Sequence, residues 1–277
     1  MARKTGVPVT IVEFYRVLAR ALLEFAQHGY DSKVRLDYWL GQLRMAANQS
    51  LPGQEQSRNM LRQVLGKKFK DATSKTAFKR HHPDLTQYTI QRVGPKLGPI
   101  LERRILAGVD LIKMHREQSI EKVLQRFSGL VTSIPEGGTR LLESGDAKKA
   151  IGKSLRQMRF EERRVTIDQG AKLIGAIHRT VAEEGNAIAG VWHSHWRQPG
   201  YDYREDHKER DEQVYAIRGN WAIKDGLMKA GPAGFLDEIT QAAEEPFCRC
   251  SMVYIYNIRA LPDDMLTQTG LERKNGG

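Results

Sequence analysis

Two histidines one residue apart, His193 and His195, a third at His207, and two cysteines one residue apart, Cys248 and Cys250, are the side chains of this sequence best equipped for chemistry. Imidazole nitrogens and thiolates are the ligands zinc takes in tetrahedral sites. Residues two apart on a strand point to one face, so each pair would present both its side chains together and the five could share an ion. The spacing matches no zinc-ribbon pattern. A hydrolytic reading draws on the same residues. His207 beside Asp202, Asp206 or Asp211 could act as a general base, because nearby carboxylates raise an imidazole pKa and fix its tautomer. Joined by His193, His195 and neighbouring arginines, it would make a metal-assisted nuclease. No Gly-x-Ser-x-Gly elbow, His-Glu-x-x-His pair or Gly-rich phosphate loop supports an enzyme. A structural reading uses the fewest assumptions. In it Arg204 and Asp206 lock a turn, His207 bridges a buried polar position, and Trp192, Trp196 and Trp221 fill a core. Cys248 and Cys250 then serve as small buried hydrophobes.

The elements that must position these residues follow from periodicity. Apolar residues at helical spacing (Ile11, Phe14, Leu18, Leu22, Phe25) predict a helix from Thr10, as N-cap with Glu13, to Gly29. Further helices are predicted over 31–48 and 54–79. His81-His82-Pro83 ends the latter, since proline disfavours helix in its predecessor. Adjacent histidines there would face different directions. The stretch 85–99, with Gly94-Pro95 and Gly98-Pro99, reads as extended and turning. Helices resume over 100–115 and 119–131, and Ile134-Pro-Glu-Gly-Gly138 marks a break. A charged helix over 146–164 and a long one over 168–186 come next, with His178 beside the apolar stripe of the second as a buried, satisfied histidine. Strands are expected at 187–192 and 253–256. The expectation is a basic, mostly α region over 1–137, then a smaller α+β domain over 138–266 with a short antiparallel sheet, then a flexible tail over 267–277.

At 277 residues the chain is long enough for two modest domains. Two cysteines exclude a disulfide framework. No apolar run approaches the roughly 20 residues that cross a bilayer, and the N-terminus lacks a secretory apolar core, so synthesis in the cytosol without a membrane partner is expected. Net charge is +11, and it is uneven. Up to residue 140, 24 Lys and Arg face 12 Asp and Glu, while beyond it 20 face 21. The densest stripe is Arg58, Arg62, Lys67, Lys68, Lys70, Lys75, Lys79 and Arg80, on the polar side of the third predicted helix. Such a row suits phosphate or an acidic protein surface.

The order Trp192…Arg204-x-x-His207…Gly219-Asn220-Trp221…Gly226…Cys248-Arg249-Cys250 resembles the phage Mu protein F-like family, minor head or head-morphogenesis proteins of tailed bacteriophages. The resemblance covers 161–262. It implies a structural component and not an enzyme, located in the virion at the head interior or portal vertex after assembly in the host cytoplasm. Its implied partners are the portal protein or the major capsid protein, in multiple copies around a symmetric vertex, and packaged double-stranded DNA. One departure is Arg210-Asp211-Glu212-Gln213, where the family commonly has a glycine suited to positive φ. A different local backbone is therefore expected there.

Overall fold

The computed structural model describes residues 11–85, 87–134 and 145–276. A mostly helical N-terminal region precedes a small C-terminal region built on a three-stranded antiparallel sheet, as the sequence led one to expect. Contacts divide the chain into two compact units that interleave in sequence, Met1–Leu61 with Gly108–Val165, and Arg62–Ala107 with Thr166–Gly277. The single boundary expected near residue 137 lies outside the described residues.

Helices α1 (Val12–His28), α2 (Lys33–Gln49), α3 (Gln54–Ala72), α4 (Lys75–His81) and α5 (Gln87–Ser133) come first. Ser32 starts α2 by accepting a hydrogen bond from the Arg35 backbone N–H. Thr10, the expected cap of α1, lies outside the described residues. The one helix expected over 54–79 is two. Thr73 Oγ1 turns back to the Phe69 carbonyl at 2.9 Å, and Ser74, in extended backbone, caps α4. Serine and threonine compete with the helix ladder in this way.

The opposite error occurs at 85–99, which is not extended. α5 runs unbroken through Pro95 and Pro99, and through the gap expected between residues 115 and 119. Part of the clash that bars helix before proline involves the preceding Cβ. Gly94 and Gly98 have none, so the backbone passes both prolines at the loss of two ladder bonds. α6 (Gly145–Ile151) and α7 (Lys153–Glu184) follow. The helix expected over 146–164 is interrupted at Gly152, and its longer part runs on in α7 into the one expected over 168–186, because Val165-Thr166-Ile167 weakens a helix only slightly and Val165 is buried.

The first unit packs Phe14, Leu18, Leu22 and Phe25 of α1 against Leu36 and Leu43 of α2 and Val123 and Phe127 of α5. Each such side chain stabilises by about 1.5–3 kcal/mol on burial. Set into this unit is a buried ion pair, Arg116 Nε to Glu162 Oε1 at 2.6 Å. Arg116 Nη1 also donates to the Pro52 carbonyl and to Ser57 Oγ, tying the α2–α3 loop to α5.

In the second unit β1 (Ala189–His193) is central, between β2 (Val214–Ala216) and β3 (Ser251–Ile255), and both pairings are antiparallel. Alternation sends Trp192, Tyr215, Met252 and Tyr254 to one core, and Ala189, Ala216 and Ile255 to another. Short helices α8 (Glu205–Glu209) and α9 (Trp221–Lys224) sit in the connections. The tail expected to be flexible over 267–277 is instead helix α10 (Gln268–Asn275). Thr267 Oγ1 caps it, Leu271 packs on the core, and Lys274 Nζ reaches Asp263 and the Leu261 carbonyl, both at 2.8 Å. A Cβ on Gly270 would stand 2.0 Å from the Leu227 carbonyl oxygen, so only glycine lets α10 dock this closely.

Removing one partner of a buried, hydrogen-bonded ion pair leaves the other charge uncompensated. Arg116→Ala is therefore expected to cost about 3 kcal/mol, read as the shift in urea-unfolding midpoint, while Arg44→Ala, whose pair with Glu121 is exposed, stays within about 0.5 kcal/mol.

Candidate functional site

Trp192, fully buried on β1, gathers the motif residues of the second unit. The His207 ring meets its face edge-on with centroids 5.3 Å apart, and the Arg210 guanidinium lies 5.2 Å from the indole. His207 is carried on α8, whose first turn begins after Arg204. Arg204 Nε pairs with Glu245 Oε2 at 2.6 Å and its Nη2 donates to the Pro246 carbonyl. Arg210 binds Asp206 at 2.7 Å and the Thr240 carbonyl at 3.1 Å. The segment 240–247 is thus pinned to α8 by two arginines, and it leads directly into Cys248.

Cys248 Sγ and Cys250 Sγ lie 3.5 and 3.6 Å from the same atom, His207 Nδ1. All three residues are buried and their donor atoms fall within 4.8 Å of one another. On the far side of the ring, Nε2 stands 3.4 Å from Glu245 Oε1 without the alignment of a hydrogen bond. The two thiols are unequal. A hydrogen bond from Cys248 holds the Cys250 thiol below its ordinary value against the effect of burial, with help from the His195 N–H and the Ser194 hydroxyl. Cys248 is pushed up by the same bond and by burial.

Of the five side chains expected to share a metal, His193 and His195 do not join this group. β1 ends at His193, so the same-face rule for residues two apart fails beyond it. His193 is exposed, and His195 bonds Gln198 and meets the Tyr201 ring edge-on. Cys248 and Cys250 likewise precede β3, and converge through the loop and not through strand alternation. Zn–S and Zn–N bonds of about 2.3 and 2.0 Å at tetrahedral angles would set N···S edges of about 3.5 Å, which the observed distances fit. Three protein ligands are one short of a closed structural site, and a three-ligand catalytic zinc keeps an open position for water, whereas these three residues are buried. Of the acids expected near His207, Asp206 is 3.9 Å away, while Asp202 is exposed. Asp211 accepts from the Ser194 N–H and the Trp196 indole, both at 2.8 Å. Those bonds hold its carboxyl below the usual range, against a burial that would raise it. The nearest carboxylate to His207, Glu245, was not expected.

Glu212 adopts φ +66° and donates its N–H to the Trp192 carbonyl at 2.8 Å. The backbone expected to differ here keeps the left-handed conformation a glycine would take, at a cost of about 1–2 kcal/mol for a residue with a Cβ. Gly219 and Gly226 also have positive φ, and between them Asn220 caps α9 and presents Trp221 to the core.

The basic stripe is divided between two helices. Arg58, Arg62, Lys67, Lys68 and Lys70 lie on α3, and Lys75, Lys79 and Arg80 on α4. All but Arg58 and Lys68 are exposed, and Arg62 pairs with Glu102 at 3.4 Å.

A second cluster was missed. α4 stops between His81 and His82, which frees the two rings from opposite helix directions. His81 stacks on His178 at 3.9 Å, and His82 Nε2 bonds His178 Nδ1 at 3.1 Å. His82 Nδ1 reaches the Tyr256 hydroxyl at 2.5 Å, and His81 Nδ1 donates to the Met252 carbonyl at 2.7 Å. His178 is buried as expected but not fully satisfied, for its Nε2 has no hydrogen-bond partner among the described residues. Burial holds His82 down to about 3 and His178 to about 2. No protein-family model, no curated protein and no solved structure matches the chain.

His207→Ala is expected to destabilise by about 3 kcal/mol through the cavity and the stranded sulfur partners. A chelator should leave the Tm of the unaltered protein unchanged, and a chelator-dependent fall would assign the three residues to a metal instead. The histidine pair sets a pH dependence. With folded pKa values below the unfolded value of about 6.5, the unfolded state binds the protons first, so stability is full above that pH and declines below it. Between pH 6.5 and 5 the expected loss approaches about 1.4 kcal/mol per pH unit per histidine, and His178→Gln should remove about half that slope in urea titrations.

Proposed function

We propose that this chain is a minor structural component of a tailed-bacteriophage head. In this reading it associates with the portal protein or the major capsid protein, in multiple copies around a symmetric vertex, and assists head morphogenesis or genome passage. The observation that carries the reading is how the motif side chains are spent. Trp192, Arg204, His207, Cys248 and Cys250 hold the second unit together, and His207 is 2 % exposed, leaving no imidazole face for a substrate. Support also comes from the exposed cations Arg62, Lys67, Lys70, Lys75, Lys79 and Arg80, which would meet the phosphates of packaged DNA, or an acidic rim of a neighbouring protein, without reading sequence. The nuclease alternative would need His193, His195 and His207 to act together, and they do not converge.

Cryo-EM of the portal vertex in purified virions is the deciding measurement. Density for this chain against the portal or the capsid wall is the expected result. Particles that assemble and infect without the chain would sink the reading. DNA hydrolysis by the purified protein, lost on His207→Ala, would put the nuclease in its place.

A further inference from the structure

A pocket of about 580 Å³ opens in the second unit, beside the missed histidines. Four cations from four separate parts of the chain line it, namely Lys68 of α3, Arg80 of α4, Arg179 of α7 and Arg249 just before β3. No Asp or Glu among the described residues lines it. Lys172, on the same helix as Arg179, pairs with Asp168, but no described carboxylate pairs with any of the four. Like charges held around one hollow repel unless an anion joins them. The floor is apolar and aromatic, with Ile174, Leu236, Met252 and Tyr254.

His178 forms part of the wall, and it supplies an independent sign of a missing ligand. It is 4 % exposed, its Nδ1 is taken by His82, and its Nε2 has no hydrogen-bond partner among the described residues. An unsatisfied buried nitrogen costs about 1–3 kcal/mol, and is kept where something else completes it. Where the Tyr256 hydroxyl donates to His82 Nδ1, the chain of bonds runs His82 Nε2–H to His178 Nδ1 and leaves His178 Nε2–H as a donor.

We propose that this pocket binds a multiply charged phosphate ligand of nucleotide size, its phosphates held by Lys68, Arg80, Arg179 and Arg249 and its body lying on the apolar floor. The volume falls in the range of small-molecule sites. Arginine forks suit phosphate oxygens, and lysine adds a point charge. The inference does not rest on the head-protein reading, although the pocket borders the Cys248–Cys250–His207 group, since Arg249 and Cys250 are part of its lining.

Isothermal titration of the full chain with magnesium-free ATP, pyrophosphate and adenosine tests it. ATP is expected to bind saturably, at least tenfold more tightly than adenosine, and more tightly than pyrophosphate. Arg80 and Arg249 are exposed, so Arg80→Met and Arg249→Met keep the fold, and each should weaken ATP about tenfold or more. The double variant Lys224→Met/Lys229→Met removes two exposed charges that neither line the pocket nor belong to the basic stripe, and should leave affinity within about twofold. Equal losses in both sets would reduce the effect to diffuse surface charge and overturn the site. Absence of saturable ATP or pyrophosphate binding up to millimolar concentration would overturn it outright. Pyrophosphate binding as tightly as ATP would overturn the part assigned to the apolar floor.

Discussion

The burial of Trp192 is the constraint on which the second unit depends. An indole that is fully buried needs close-packed neighbours on every side, and the chain supplies them from regions far apart in sequence. β1 places the ring, Arg210 and His207 cover it, and the segment leading to Cys248 and Cys250 closes the remaining side. Because the backbone of Trp192 is also bound to Gln213 and Glu212, the turn that carries Glu212 cannot relax. The positive φ of that residue is a local cost imposed by the need to bring α8 onto the ring.

How much of this was legible depends on the range of the interaction. Strands β1 and β3, the helices α1 and α2, and the stop before Pro83 follow from periodicity and local chemistry, whereas the three-residue β2 is too short to carry a period. The places where local rules misled are those where another local feature or packing prevailed. Gly-Pro pairs read as turns, yet the glycines are what let α5 pass through Pro95 and Pro99. A polar segment ending in glycine read as a tail, yet Thr267 caps it and Gly270 fits against the Leu227 carbonyl. Thr73-Ser74 inside a basic amphipathic run carried the break signal, and the charge pattern masked it.

The candidate sites divide in the same way. Cys248, Cys250 and His207 could be grouped by the ligands they offer, but the expectation that each pair two apart, His193/His195 and Cys248/Cys250, presents both side chains together assumed strand backbone, which ends at His193 and begins only at Ser251. His81, His82 and His178 had no such pattern. Their meeting depends on α4 ending between two adjacent residues and on α7 passing 96 residues later in the chain. A histidine near an apolar stripe is ordinarily satisfied, and only the spatial arrangement reveals that one nitrogen of His178 is not.

The uneven charge along the sequence is also reinterpreted by the fold. A basic half followed by a neutral half suggests a single polyanion-binding segment and a separate neutral domain. The second unit nevertheless takes in residues 62–107, so much of the basic stripe belongs with the sheet. Lys68 and Arg80 come from that stripe, while Arg179 and Arg249 come from the half whose charges balance. Net neutrality over a segment says only that its charges are equal in number, not that they are paired in space. Lys172 finds Asp168 one turn away, whereas Arg179 and Arg249 have no described carboxylate within ion-pair distance. A pocket whose cations come from four separate parts of the chain cannot show as a charge run in any window of the sequence. The local excess of charge exists only once the chain has folded, and it lies beside a buried nitrogen that has no hydrogen-bond partner among the described residues.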